Sequence, residues 1–211
     1  MPTVKTIAKM VLAAVAFAGI AFGAALPAGA ATPEEAFLIE LGLTSTPIGH
    51  AQFCTERPAE CLPNLAVVMT EELTGARWQE LLEVNARINA TVTPVTDIAL
   101  YQTEEYWTYP RGYGDCEDFV LAKRRALIEL GWPASTLLMT VVREPNGEGH
   151  AVLTVRTDRG DLVLDNQEAL VKLWSETPYL YIKRQSQTHA SRWVDLDDTR
   201  LAVPQVSSVG R

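Results

Sequence analysis

The stretch GYGDCEDFVLAKRRALIELG, residues 112–131, decides how this chain is read. From Cys116 onward, Phe119, Val120, Lys123, Ala126, Leu127 and Leu130 recur at helical spacing, and Gly131, Trp132 and Pro133 stop the run. The spacing predicts a helix that begins at Cys116. Lys123 lends only its apolar stem to the buried stripe, and Arg124, Arg125 and Glu129 face water. A thiol at a helix start meets free N–H groups and the positive end of the dipole, which favour the thiolate. Asp115, Glu117 and Asp118 surround it and oppose that ionisation. Acids are also ordinary at these positions, with Asp115 as N-cap and Asp118 three residues later.

Beyond the helix the period changes from 3.6 to two. TLLMTVV, HAVLTVRT, DLVLDN and YLYIKRQ read as strands, and TDRGD between the second and third reads as a hairpin turn. Upstream, Trp78, Leu81, Leu82, Asn85 and Ile88 predict a helix over about residues 75–90, ended near Pro94. Helices first and an antiparallel sheet later is the α+β pattern.

A nucleophilic cysteine needs a base, and the chain has three histidines, His50, His150 and His189. His150 opens a strand after the loop PNGEG, and Asp165 ends the next strand. With the turn centred between Asp158 and Arg159, Val152 lies opposite Asp165 and His150 opposite Gln167. His150 and Asp165 then become diagonal neighbours within hydrogen-bond reach. Cys116, His150 and Asp165 have the types and order of a nucleophile, a base and an orienting carboxylate. Each alone also has a structural reading, as a helix-start cysteine, a satisfied strand histidine and a turn-forming aspartate.

At the N-terminus Lys5 and Lys9 precede an apolar run from Met10 to Leu26, followed by small residues at Ala28, Gly29 and Ala30. This is the pattern of an export signal over residues 1–30, cleaved after Ala30, and too short and Ala-rich for a spanning helix. No stable membrane insertion is expected after cleavage. Removing 30 of 211 residues leaves 181, residues 31–211, the size of a single domain. The two signal lysines leave with it, so the basic count falls from 18 to 16 against 26 acids and the net charge from −8 to −10. Nucleic acid and anionic lipid are poor partners for such a chain.

An oxidising compartment favours pairing two of the three cysteines. FCTERPAEC closes a short loop, so Cys54 and Cys61 are the expected disulfide and Cys116 is left over. A metal site of His50, Cys54 and Cys61 is the rival reading, short of a fourth ligand.

Taken together, VNARIN, TD, EYWTYP, GYGDCEDFVLAKRRALIELG, GHAVLTVRTDRG and LVLDN resemble the successive motifs of the bacterial transglutaminase-like cysteine proteinases, over about residues 47–185. That family includes periplasmic proteases that clip large biofilm adhesins from the cell surface. The resemblance implies a papain-like, transglutaminase-like fold with the Cys helix packed on an antiparallel sheet. It implies Cys116 as nucleophile, His150 as general base and Asp165 as the residue that orients it. It also implies a periplasmic or secreted location, a protein substrate such as a large surface adhesin, and an inner-membrane regulatory protein as partner.

A hard cation held beside Cys116 would cancel the repulsion of the crowded acids, and calcium suits an exported chain. The resemblance points the same way and matches Asp115 and Glu117 to the calcium-binding acids, leaving Asp118 to structure. The main-chain N–H of Cys116 is the expected oxyanion donor, with Trp107 or Tyr109 near the cleft. The triad types do not separate an endopeptidase from an acyl transferase that resolves the same thioester with an amine. A non-catalytic binding module of the same fold is a third reading.

Overall fold

The computed structural model of the chain describes residues 36–198 and 200. The export signal expected over residues 1–30, with its cleavage site, lies outside them. In chain order the elements are β1 (Ile39–Thr44), α1 (Ile48–Glu56), α2 (Gly75–Thr91), β2 (Thr93–Pro94), α3 (Asp97–Tyr101), β3 (Tyr113–Gly114) and α4 (Cys116–Glu129). They continue with β4 (Leu137–Arg143), β5 (Gly149–Thr157), β6 (Gly160–Leu164), β7 (Lys172–Leu173), β8 (Leu180–Gln185) and β9 (Trp193–Asp197). Seven strands form one sheet in the order β1-β9-β8-β4-β5-β6-β7, antiparallel throughout. The chain therefore has the mixed helix and antiparallel-sheet architecture expected, with one strand, β1, ahead of the helices.

The helix α4 forms where its stripe predicts, and Gly131 ends it at φ +85°, a conformation that costs a residue with a Cβ about 1 kcal/mol. Phe119, Val120 and Leu127 of α4 pack with Leu81, Val84 and Ile88 of α2 and with Leu153 and Val155 of β5 in the main core. On the other face of the sheet, Val142, Val152, Val163, Tyr181 and Leu196 form a second layer. The short parallel pair β2–β3 joins Thr93 to Tyr113 and Pro94 to Gly114, which lays the start of α3 beside the start of α4.

Two side chains on α4 depart from expectation. Lys123 is buried to its ammonium, at 1% exposure, and burial pushes its pKa down to about 7. Arg124 is also buried rather than wet, because its Nε–H donates to the Leu137 carbonyl at 3.0 Å where the chain returns to start β4. The structure joins Cys54 and Cys61 in a disulfide with Cα atoms 5.5 Å apart, which removes both sulfurs from the rival metal site. Among the described residues no helix is long and apolar enough to cross a membrane.

Candidate active site

Cys116 stands in the first turn of α4, half-buried, and is the free cysteine of the chain. Its Sγ donates to Glu117 Oε2 at 3.1 Å. Burial pushes the thiol well above its usual range, the neighbouring Glu117 carboxylate pushes it further, and the main-chain N–H of Ala151 works the other way. In this electrostatic state the thiol keeps its proton. The dipole of α4 alone does not overcome burial and the neighbouring acids.

The β5–β6 hairpin turns at Asp158 and Arg159, with Thr157 opposite Gly160 and Leu153 opposite Leu164. That register brings the second residue of β5, His150, to the residue just past β6, Asp165. His150 Nε2 and Asp165 Oδ1 lie 2.9 Å apart, both side chains almost fully buried. Asp165 also accepts from the Gln167 N–H at 3.0 Å and from the Tyr179 hydroxyl at 2.5 Å. Asn89 of α2 holds its main-chain carbonyl at 2.8 Å. Burial works to raise the Asp165 carboxyl, but the bond and charge of His150, with Gln167 and Tyr179, outweigh it and hold the group below the usual carboxylate range. The other imidazole nitrogen, Nδ1, lies 4.0 Å from Glu144 Oε1.

Cys116 and His150 line one cleft of about 480 Å³, together with Glu117, Trp107, Ile48 and Lys183. Among the described residues no hydrogen bond joins Sγ to the imidazole. The remaining histidines are committed elsewhere. His50 is fully buried, accepts from Trp193 Nε1 at 3.0 Å, and is pushed down to a pKa of about 4 by burial. His189 Nδ1 takes the Ser191 N–H and hydroxyl.

The acids at the head of α4 form a connected cluster. Asp115 occupies the N-cap position, yet its side chain makes no capping bond and accepts instead from the Asp97 N–H at 3.2 Å. Asp97, Asp115 and Glu117 place carboxylate oxygens within 4.8 Å of one another. Asp118 lies underneath, fully buried, with Oδ1 accepting from the Thr108 N–H at 2.8 Å, and a Cβ at Gly114 would strike its Oδ2 at 2.5 Å. Burial, with repulsion from neighbouring acids adding to it, pushes Asp97 up to about 6, Asp118 up to about 8 and Glu117 up to about 9, and burial alone raises Asp115 against the hydrogen bonds it accepts. Asp97 Oδ1, Asp115 Oδ1 and Asp118 Oδ2 are buried without a hydrogen-bond partner. Unpaired buried carboxylate oxygens are costly, and a set of hard oxygen donors this close fits a hard divalent cation.

The start of α1 supplies another part of the lining, Pro47 and Ile48. Gly49 of α1 has no Cβ, and one built there would meet the Trp107 ring at 2.3 Å, so glycine is what lets Trp107 reach the cleft. Tyr109, the other aromatic expected near the site, turns away to donate to Glu60 Oε2 at 2.8 Å. Three residues that sequence reasoning did not assign belong to this neighbourhood, Asp97, Glu144 and Tyr179. Asp97 has a sequence signal, the dipeptide TD among the family motifs, whereas Tyr179 carries no local signal beyond its strand-like surroundings.

The family model of the bacterial transglutaminase-like cysteine proteinases (BTLCP) matches residues 40–201. Among solved structures, calcium-bound LapG of Legionella pneumophila is similar at 26% identity and a TM-score of 0.46, over 51% of this chain and 64% of that one. LapG of the same organism, and its EGTA-treated form, are similar at 27% identity with TM-scores of 0.44 and 0.45, over 51% of this chain and 62% of theirs. The chain thus spans less than two thirds of the length of these relatives. No curated protein sequence matches it.

Proposed function

We propose, because this chain belongs to the bacterial transglutaminase-like cysteine proteinases, that it is an exported cysteine endopeptidase with Cys116 as nucleophile, His150 as base and Asp165 as the group that orients the base. The observation that carries this reading is the 2.9 Å bond between His150 Nε2 and Asp165 Oδ1, made by an imidazole that shares a cleft with the Cys116 thiol.

With Nε2 engaged by Asp165, Nδ1 is the nitrogen left to take the thiol proton. The thiolate attacks the peptide carbonyl carbon, and the developing oxyanion faces the main-chain N–H of Cys116 at the helix start. When the carbonyl re-forms, the C–N bond breaks and the proton held on His150 passes to the departing amine. A water then gives a proton to His150 as it attacks the thioester. The acid product leaves and the thiol is restored.

The acid cluster is the second half of the proposal. Asp115 and Glu117, with Asp97 as a third carboxylate, are the residues that would hold calcium, and the orphaned Oδ1 atoms of Asp97 and Asp115 support that assignment. When bound, the ion supplies positive charge that offsets the repulsion between these acids and a thiolate. Residues 1–30 are the proposed export signal and residues 31–211 the single catalytic domain, which would act in the periplasm or outside the cell. A large surface adhesin as substrate and an inner-membrane regulator as partner rest on the family resemblance.

The test is incubation of the purified mature chain and calcium with an adhesin-like polypeptide, with and without an amine donor. Hydrolysis by wild type and none by Cys116→Ala is the expected result. Amine adducts in place of new free carboxyl ends would convert the reading to acyl transfer, and no product under either condition would remove the activity.

A further inference from the structure

Lys183 contributes the one cationic side chain among the residues that line the cleft, where the other charged groups are Glu105, Glu117 and the histidine base. It lies in a row with the reacting centre. Ala151, which lines the cleft with Cys116, is the cross-strand partner of Val141, and Val141 is the partner of Lys183, so the three side chains share a face across β5, β4 and β8. Two strand spacings of about 4.8 Å put the Lys183 backbone about 10 Å from Ala151. An extended peptide advances about 3.3 Å per residue, so a substrate crossing these strands would present to Lys183 a side chain two or three residues from the scissile bond.

The ammonium is held for such a role. Lys183 Nζ donates to the Ser45 carbonyl at 2.9 Å and to its hydroxyl at 3.1 Å, which fixes the group and leaves one of its three N–H donors. Both of its hydrogen bonds go to Ser45 and it makes no ion pair among the described residues, although Asp195 stands opposite it on β9. Val141 and the exposed Ile48 give the same end of the cleft an apolar surface beside the ammonium. A chain of net charge −8 that keeps a positioned, unpaired cation in its cleft has a place for an anion there.

We propose that Lys183 forms a substrate subsite that takes a carboxylate side chain, Asp or Glu, two or three residues from the scissile bond. The proposal rests on the endopeptidase reading above and deepens it by naming the substrate chemistry.

The experiment is hydrolysis of a positional library of internally quenched peptides by the mature protein with calcium, read as the ratio of kcat/KM for Glu over Lys at each position. Wild type is expected to prefer Glu by about three- to tenfold at one position two or three residues from the bond. In Lys183→Glu the ratio at that position should invert, and in Lys183→Met it should fall to near one. Because each ratio is internal to one variant, a loss of folded protein cancels from it. Cleavage with no charge preference in wild type, or a preference that survives in both variants, overturns the subsite and leaves the endopeptidase standing. No cleavage of any library member by wild type overturns the endopeptidase, and the subsite with it.

Discussion

The main-chain N–H of Asp97 donates to Asp115 Oδ2 at 3.2 Å, so the start of α3 is tied to the residue that precedes the cysteine. The same tie brings the Asp97 carboxylate into the group with Asp115 and Glu117. If these three hold calcium, the ion binds the folded chain and not the unfolded one, and it must raise the melting temperature by linkage. At a hundred times its dissociation constant the gain is about 2.7 kcal/mol, or about 5–10 °C for a chain of this size. Asp97→Asn, Asp115→Asn and Glu117→Gln should each lose most of that rise in differential scanning fluorimetry. A calorimetric titration with no heat at millimolar calcium would return the acids to purely local roles.

The same cluster sets a pH dependence whose sign is opposite to the common carboxylate case. Asp97, Glu117 and Asp118 have folded pKa values raised to about 6, 9 and 8, well above the usual carboxylate range near 4. Between pH 4 and 9 the folded state therefore binds more protons than the unfolded one, and stability falls as pH rises. In EGTA the melting temperature should drop from pH 5 to pH 9. In calcium the slope should flatten, and binding at pH 7 should release protons, detectable as a buffer-dependent enthalpy. A melting temperature that rises with pH in EGTA would show that the cluster is not desolvated.

Legibility in the sequence followed locality. The α4 stripe and the β4–β6 strands were readable because their signal is periodic and their partners are sequence neighbours, and the Asp158–Arg159 turn alone set the register that joins His150 to Asp165. Strand β1 was not readable. It is an exposed edge strand with a bulge between Glu40 and Gly42, and the alternation of Ile39, Leu41 and Leu43 with Glu40, Gly42 and Thr44 does not mark a buried face, since all three apolar side chains are exposed. Asp97 and Tyr179 reach the site through chain returns, the β2–β3 pairing and the loop before β8, which no spacing rule encodes. The burial of Arg124 is not encoded locally either, since its partner is a main-chain carbonyl thirteen residues later.

Thiol chemistry follows from the disposition of the three cysteines. Iodoacetamide should label one thiol in the unreduced protein, and peptide mapping should find it on Cys116. Because burial and Glu117 hold that thiol protonated, labelling at pH 7 should be slow in EGTA and several-fold faster in calcium. Label on Cys54 or Cys61 of the native protein would contradict the disulfide.

That disulfide ties down the C-terminal end of α1, the helix that starts at Ile48 and carries Gly49, and its loss should be felt both as stability and as cleft shape. Closing a loop of about eight residues is worth about 2.5 kcal/mol in the chain-entropy account. The double variant Cys54→Ser, Cys61→Ser should melt about 5–10 °C lower. Its KM should rise more than its kcat falls, because the wall at Ile48 and Trp107 moves while His150 and Asp165 do not depend on it. An unchanged KM with the same melting loss would limit the staple to stability.

Tyr179 offers the sharpest separation of positioning from bulk structure. Its hydroxyl takes one carboxylate oxygen of Asp165 and leaves the other for His150, so the plane of the carboxylate is set by two donors on opposite sides. Tyr179→Phe keeps the ring packed against His150, with centroids 5.5 Å apart, and removes only the hydroxyl. The carboxylate then loses a hydrogen bond that holds it ionised, and kcat/KM should fall about 10- to 100-fold, in the range seen when groups behind a reacting residue are removed. Asp165→Asn, which takes away both the charge and the acceptor that fixes the imidazole tautomer, should cost more, on the order of 10³- to 10⁴-fold. The acid limb of the pH profile should move upward in Tyr179→Phe, since Asp165 titrates nearer its ordinary value without that bond. A merely structural role for Tyr179 would lower the melting temperature and leave the limb where it was.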